Sequence, residues 1–349
     1  MPDTYISQFS GEEIDAALRA AQMISGASTP AELRKKLEIR GDTIPVSATD
    51  PTPVSEALTA SGGGVNPNLL DNWYFGRPVN QRGQTEYTEV GYTVDRWKFT
   101  TDGGNVAISN GYLDIYSTKQ YGSSLRQKID PELAKALAGK TVTYSVLAAD
   151  GDTVFSINMN KNDSYADSFT IEPNTVSYKT WTFPTDSTNV EFYFEGNAAG
   201  HVRPIAAKLE LGDTQTLAHK ENDKWVLNEI PDFGEQLRRC QRYCRVYKAG
   251  TTLPCLAYPQ MDGGWYASAG LPTNGMRTIP TNNLGDGKKV AITDLDSADA
   301  THDDMSMLNW GQNENMLCLR ISGGSHGTLT SKFPYWIKLK EDLILSADL

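Results

Sequence analysis

Apolar residues recur at every second position through the middle of the chain. KTVTYSVLAA (140–149), TVFSINMN (153–160), YKTWTF (178–183), NVEFYFEG (189–196) and PIAAKLELG (204–212) all alternate in this way. That period predicts strands with one face turned to a core. Asp102-Gly103-Gly104, Asn110-Gly111 and Asp150-Gly151 fall between apolar runs and read as turns. Short strands at this spacing imply a β-sandwich or jelly roll. PELAKALA (131–138) interrupts them as a short helix with proline at its start.

The two ends read differently. Ser10 with Glu13 resembles a capping box, and Ile14, Leu18 and Ala21 follow at helical spacing on a helix from about 11 to 24. A second short helix starts at Ser28-Thr29-Pro30, with Leu33, Leu37 and Ile39 apolar. Helices this short need a partner surface. A bundle of identical chains, a docking socket or the next domain would each supply one. Residues 213–231 read as a polar connector. In DFGEQLRRCQRYCRVY (232–247), Leu237, Cys240, Tyr243, Cys244 and Tyr247 form one apolar stripe, which predicts a single helix. LCLRIS (317–322) and PYWIKLKEDLIL (334–345) are strand candidates, the second with a charged break inside it.

The chain therefore reads as mostly β. It has short N-terminal helices (1–40) for attachment or trimerisation and a Pro-, Ser- and Gly-rich linker (41–65). A jelly roll (66–212) and a helical connector (213–247) follow. A C-terminal β domain (248–349), sandwich-like in its pattern, forms the tip.

Charge narrows the partners. The net charge of −11 repels phosphate backbones, so nucleic acid is not expected as a partner. Arg238, Arg239, Arg242 and Arg245 read as a solvated helix face. No stretch approaches the roughly 20 apolar residues needed to cross a bilayer. The N-terminus lacks the basic start and apolar run of a secretory leader, so neither membrane insertion nor a leader is expected.

Candidate chemistry is sparse. The four cysteines (Cys240, Cys244, Cys255 and Cys318) are too few for a disulfide scaffold and read as buried free thiols. The four histidines show no ligand spacing. No nucleophile elbow, phosphate loop or zinc motif is present, and no enzymatic activity is expected. No cofactor is expected either. The acidic run DLDSADATHDD (294–304) offers Asp294, Asp296 and Asp299 as weak calcium candidates, though it departs from the twelve-residue loop pattern.

Aromatics are more telling. Sixteen Tyr and seven Trp outnumber ten Phe, which favours half-exposed rings with a polar tip. Such rings beside amides suit the apolar faces and hydroxyl rims of sugars. In the first β domain the candidates are Trp97, Tyr121, Tyr165 and Trp181, with Trp97 and Trp181 read as core. In the tip they are Trp265 and Tyr266, in the loop-like DGGWYASAG, and Trp310, among amides. These three stand equally for binding or packing.

The phrase NLLDNWYFGRPVNQRGQTEY, followed by GYTVDRW, resembles tail-fibre and receptor-binding proteins of phages and prophages of gut Firmicutes. Asn68, Leu69, Leu70, Trp73, Phe75, Asn80, Arg82, Gly83, Asp95, Arg96 and Trp97 carry it. Leu209, Glu210, Gly212 and Thr216 resemble that family's closing strand. Glu235, Leu237, Cys240, Gln241, Arg242 and Tyr243 resemble its connector, and Met276, Arg277 and Pro280 its fibre-tip phrase. The resemblance spans about 66–281, and QFSGEEIDAAL resembles the baseplate-facing start.

It implies a carbohydrate-binding-like jelly roll in a homotrimeric protein held to a phage baseplate or tail by its N-terminus. The expected setting is the virion tail, made in the bacterial cytoplasm and released on lysis, with a host surface glycan as ligand, contacted by the C-terminal domain while the jelly roll spaces or binds. The phrases are structural, so Asn80, Arg82 and Gly83 are expected to fix a turn. A purely structural fibre component and a surface-polysaccharide depolymerase are the alternatives.

Overall fold

In the computed structural model, residues 65–349 are described, except 163, 187–188, 260–264, 285–287, 295–301, 314, 324–333 and 349. The helices expected within 1–40 and the linker 41–65 lie outside the described residues, apart from Val65 at the linker's end. Apart from Val65, the described residues belong to one compact unit, Asn66–Leu349.

Two antiparallel layers form a sandwich. One is a six-stranded sheet in the order β2 (Gly91–Tyr92), β3 (Lys98–Thr101), β6 (Ser123–Lys128), β11 (Val190–Gly196), β8 (Phe155–Lys161), β9 (Ser164–Thr170). The other combines the run β1 (Glu86–Tyr87), β4 (Asn105–Ser109), β5 (Tyr112–Ser117), β12 (Gly200–Val202) with the run β10 (Val176–Thr182), β7 (Thr141–Ala148), β13 (Pro204–Leu211). Alternation sets which side chains meet between the layers. Phe192 and Phe194 of β11, Ile157 and Met159 of β8, and Leu113 and Ile115 of β5 share one core with Trp97. Trp97 is fully buried, its indole N–H donating to the Asn72 carbonyl at 2.9 Å, with Phe75 edge-on at 5.2 Å between ring centroids. Trp181 is only half-buried.

The opening phrase of the sandwich runs beside its closing strand. Leu69 and Phe75 N–H groups donate to the Leu209 and Ile205 carbonyls of β13, each at 2.8 Å. Asn80 Oδ1 accepts from the Gly83 N–H at 3.0 Å while Gly83 sits at φ 79°, so these residues do fix a turn. α1 (Pro131–Leu137) is capped by the Asp130 side chain, which accepts from the Glu132 N–H.

The polar connector is structured. Residues 218–227 fold into a hairpin of β14 (Ala218–Glu221) and β15 (Lys224–Leu227) against the sandwich, with Trp225 and Leu227 packed on its core. The single helix expected over 232–247 is shorter: α2 spans Phe233–Cys240, and the chain then turns into β16 (Cys244–Tyr247). β16 pairs with β24 (Leu343–Ser346), almost one hundred residues on, and β24 also pairs with β19 (Thr281–Asn282). Tyr243, Val246 and Tyr247 fit a pleated strand at least as well as a helix, so the distant partner decides. Cys240 and Cys244 thus do not share a helical face. Both are buried, as is Cys255, whereas Cys318 is exposed, against expectation.

The tip is a closed antiparallel barrel rather than a second sandwich. Its order is β17 (Thr252–Pro259), β18 (Trp265–Pro272), β22 (Met316–Gly323), β21 (His302–Gln312), β20 (Lys288–Asp294), β23 (Pro334–Leu339), and β23 returns to β17. The charged break expected within 334–345 separates β23 from β24.

Sandwich and barrel meet through α2 and β16. Arg82 bridges Asp95 (3.1 Å) of the sandwich and Asp348 (3.3 Å) beyond the barrel. Burial pushes the Asp95 carboxyl up to about 6, against the pull of Gln81 and Arg82. Arg96 lies 3.6 Å from the centroid of the Tyr243 ring.

Candidate functional site

On the six-stranded sheet, residues that alternate away from the core ought to be solvated. Ser156, Asn158 and Asn160 of β8 face outward, and so do Glu191, Tyr193 and Glu195 of β11. The pairing register aligns them in rows, with Glu195 beside both Ser156 and Ser124, and Tyr193 beside both Asn158 and Arg126. Yet Asn158 is only 2% exposed, and Ser124, Ser156 and Glu195 are 8% or less. Outward-pointing side chains are hidden this way either under a covering segment or, as here, within a concavity of the sheet surface.

The concavity holds a cleft of about 460 Å³ lined by Ser156, Asn158, Ser168, Phe169, Thr170, Glu195, Asn197 and Tyr121. Its polar groups are braced from within the sheet. Asn158 Nδ2 donates to Glu195 Oε2 at 2.9 Å, and the Tyr193 hydroxyl donates to Glu195 Oε1 at 3.2 Å. Asn197 Nδ2 donates to Ser156 Oγ at 2.9 Å. Burial pushes the Glu195 carboxyl up, and the Asn158 hydrogen bond opposes it. On the same outer face, Asn160 Oδ1 and Arg126 Nε are buried with no hydrogen-bond partner among the described residues.

Tyr121 stands at the rim. It is 63% exposed and adopts φ 56°, a left-handed conformation that non-glycine residues seldom take. The hydrogen bond from its N–H to the Gly196 carbonyl, 2.7 Å, holds it there. Backbone strain of this kind clusters at active sites and ligand clamps. Chemically the site offers amide, hydroxyl and carboxylate groups at fixed spacing beside one exposed ring. Such a site can exchange hydrogen bonds with a polyhydroxylated ligand and lay an apolar face on a flat one.

Of the residues singled out in the sequence, Tyr121 lines this cleft. Tyr165 lies on β9 at the register position opposite Asn160. Trp265 and Tyr266 are on β18, in a strand and not in a loop, because their backbone pairs with both β17 and β22. Trp310 is on β21, within the register shift between Asn309 and Gly311. The side chains of Tyr165, Trp265, Tyr266 and Trp310 are not among those described. Asp294 ends β20 opposite Tyr335, and Asp296 and Asp299 lie outside the described residues. No group of three or more metal-ligating side chains occurs among the described residues. Ser156, Asn158 and Glu195 were not singled out by sequence. The one trace of Ser156 and Asn158 is that the outward positions of β8 (156, 158 and 160) hold only small hydroxyl and amide residues.

Neither a protein-family profile nor a curated protein sequence matches the chain. Among solved structures it is similar to the C-terminal family 22 carbohydrate-binding module of Clostridium thermocellum Xyn10B, at 17% identity, covering 34% of this chain and 88% of that one, with a TM-score of 0.27. It is similar to the CBM22-1 xylan-binding domain of Paenibacillus barcinonensis Xyn10C at 11% identity, covering 43% and 98%, with a TM-score of 0.27. It is also similar to the enzymatically active domain of bacteriophage CBA120 tailspike protein 4 at 15% identity, covering 42% of this chain but only 21% of that one, with a TM-score of 0.27. Similarities of this size leave function to be argued from the cleft's own side chains.

Proposed function

We propose that this chain is a receptor-binding protein of a bacterial virus tail and holds a host surface glycan in the cleft of its sandwich. The observation that carries the glycan reading is the set of outward-facing but buried groups Ser156, Asn158 and Glu195 beside the strained, exposed ring of Tyr121. The viral setting rests on the tail-fibre resemblance of residues 66–281. In this reading the N-terminal segment fastens the chain to a baseplate or tail and gathers three copies. Three linked sites raise avidity roughly 10²–10⁴-fold over one without new contacts. The protein holds its ligand without cutting it. Glu195 is the only carboxylate among the described residues lining the cleft, whereas glycoside hydrolysis commonly uses a pair.

The test is binding of the full chain to glycan isolated from susceptible host envelopes. Asn158→Ala is expected to weaken binding by about tenfold or more while the protein stays folded. Unchanged binding in that variant overturns the cleft assignment. Release of reducing ends from the polymer overturns the non-enzymatic reading.

A further inference from the structure

We propose that the junction between sandwich and barrel is a proton-operated latch. It closes on one proton shared by two buried carboxylates, and it loosens the strap formed by β24 and Asp348 when that proton leaves. The latch is visible as a charge count. Asp95 of the sandwich and Asp348 after β24 both contact the Arg82 guanidinium, at 3.1 and 3.3 Å. Their side chains are only 1% and 3% exposed, and that of Arg82 is 13% exposed. One cation therefore faces two carboxylates, which leaves one negative charge in excess in a largely buried place. Neutral donors meet it only in part. Gln81 Nε2 donates to Asp95 at 2.8 Å, and the Ser346 hydroxyl donates to Asp348 at 2.9 Å. Asp348 Oδ1 is buried with no hydrogen-bond partner among the described residues. A bound proton removes the excess charge without moving any group.

The other titratable groups around the pair do not change charge near pH 7. Burial pushes Tyr87, Tyr92 and Cys244 up to about 12 and raises the Cys240 thiol as well, so all four stay neutral. Arg96 acts on Asp348 through its charge and is itself paired with Asp71 at 3.1 Å. Lys248 donates to the Arg82 carbonyl at 2.9 Å and is paired with Asp342 at 3.0 Å. The titration therefore belongs to the two carboxyls as a pair. Burial raises both, and the charge of Asp348 adds to the rise of Asp95, which reaches about 6.

The strap is what the proton holds. β24 pairs with β16 and β19, and the Ala347 N–H donates to the Tyr243 carbonyl at 2.6 Å. Through Asp348, Arg82 ties this strand to the sandwich. The folded value of Asp95 lies above its unfolded one, so the latch is fully tight below the usual carboxylate range and weakens as pH rises through about 6. A carboxyl at about 6 when the latch is shut and about 3.9 when it is open shifts the opening equilibrium about tenfold between pH 5 and 8.

The test is amide hydrogen exchange of the full chain at about pH 5 and about pH 8, corrected for the intrinsic exchange rate at each. Protection of the Leu343–Ser346 amides is expected to fall about tenfold from the lower to the higher pH. Asp95→Asn removes the excess charge and keeps a polar group, so its protection should be equal at the two pH values. Asp348→Asn carries the same expectation and keeps the test open should Asp95→Asn fail to fold. Glu195→Gln removes the raised carboxyl of the cleft and should leave the fall at β24 intact. Equal protection at both pH values in the wild type, a fall that persists in either folded aspartate variant, or its loss in Glu195→Gln overturns the proposal.

Discussion

On the outer face of β7 and β13, Thr143, Lys208 and Glu210 are fully buried, as deeply as Asn158 and Glu195 on the outer face of β8 and β11. The first group is completed by the chain itself. Lys208 Nζ donates to Thr216 Oγ1 at 2.9 Å and lies 3.5 Å from Glu229, while Glu210 accepts from the Thr216 N–H at 2.8 Å and from its hydroxyl. The segment carrying Thr216 and Glu229 flanks the β14–β15 hairpin, which covers that face. The second group opens into a cleft that no other described segment covers. Buried polarity on a sandwich exterior is therefore not by itself a mark of binding. What separates the two faces is whether another segment of the chain covers the buried groups.

The comparison can be broken most severely at Lys208. Lys208→Met leaves Glu210 buried without its cation and is expected to cost about 3–5 kcal/mol, read by urea denaturation. A loss under about 1 kcal/mol would mean that the covered face is not held by this pair. At the cleft the expected balance runs the other way. Tyr121→Gly relieves a left-handed residue and is expected to leave stability unchanged or raised by about 1 kcal/mol, while glycan affinity falls. A destabilised Tyr121→Gly protein would make the ring a packing element.

The smallest effect is expected at Glu195. Its folded pKa lies above its unfolded value, so its contribution is fully present below the usual carboxylate range. That contribution is lost as pH rises through the folded value. Glu195→Gln should therefore lack this decline when stability is measured from about pH 4 to 7. The same decline in both proteins would place its origin elsewhere.

Much of this contrast could not be read from sequence. Period-two alternation locates β7, β8, β11 and β13 and puts Phe192, Phe194 and Ile157 inside. It cannot say whether an outward residue meets water, another segment or a cleft, because sheet curvature is not a local property. Asn158 and Glu195 therefore look like ordinary surface positions. Residues 213–231 look like a connector because a hairpin that covers charged groups has no reason to be strongly apolar. The end of α2 was hidden for a similar reason: residues four apart suit a helix face, and they suit one face of a strand as well. Only pairing with Leu343–Ser346 separates the two. Tyr121 is legible as a candidate aromatic of the first β domain, whereas its backbone strain and place at the rim depend on Gly196, far along the chain.

The tip's closed ring has a consequence for crowding. Among the described residues every barrel strand is hydrogen-bonded on both sides, so the ring itself presents no open edge for a neighbouring molecule to extend. Copies brought close together are thus shielded from polymerising by strand addition through this region. Whatever associates with it must do so through side chains, which leaves its surface free to change without opening a route to fibres.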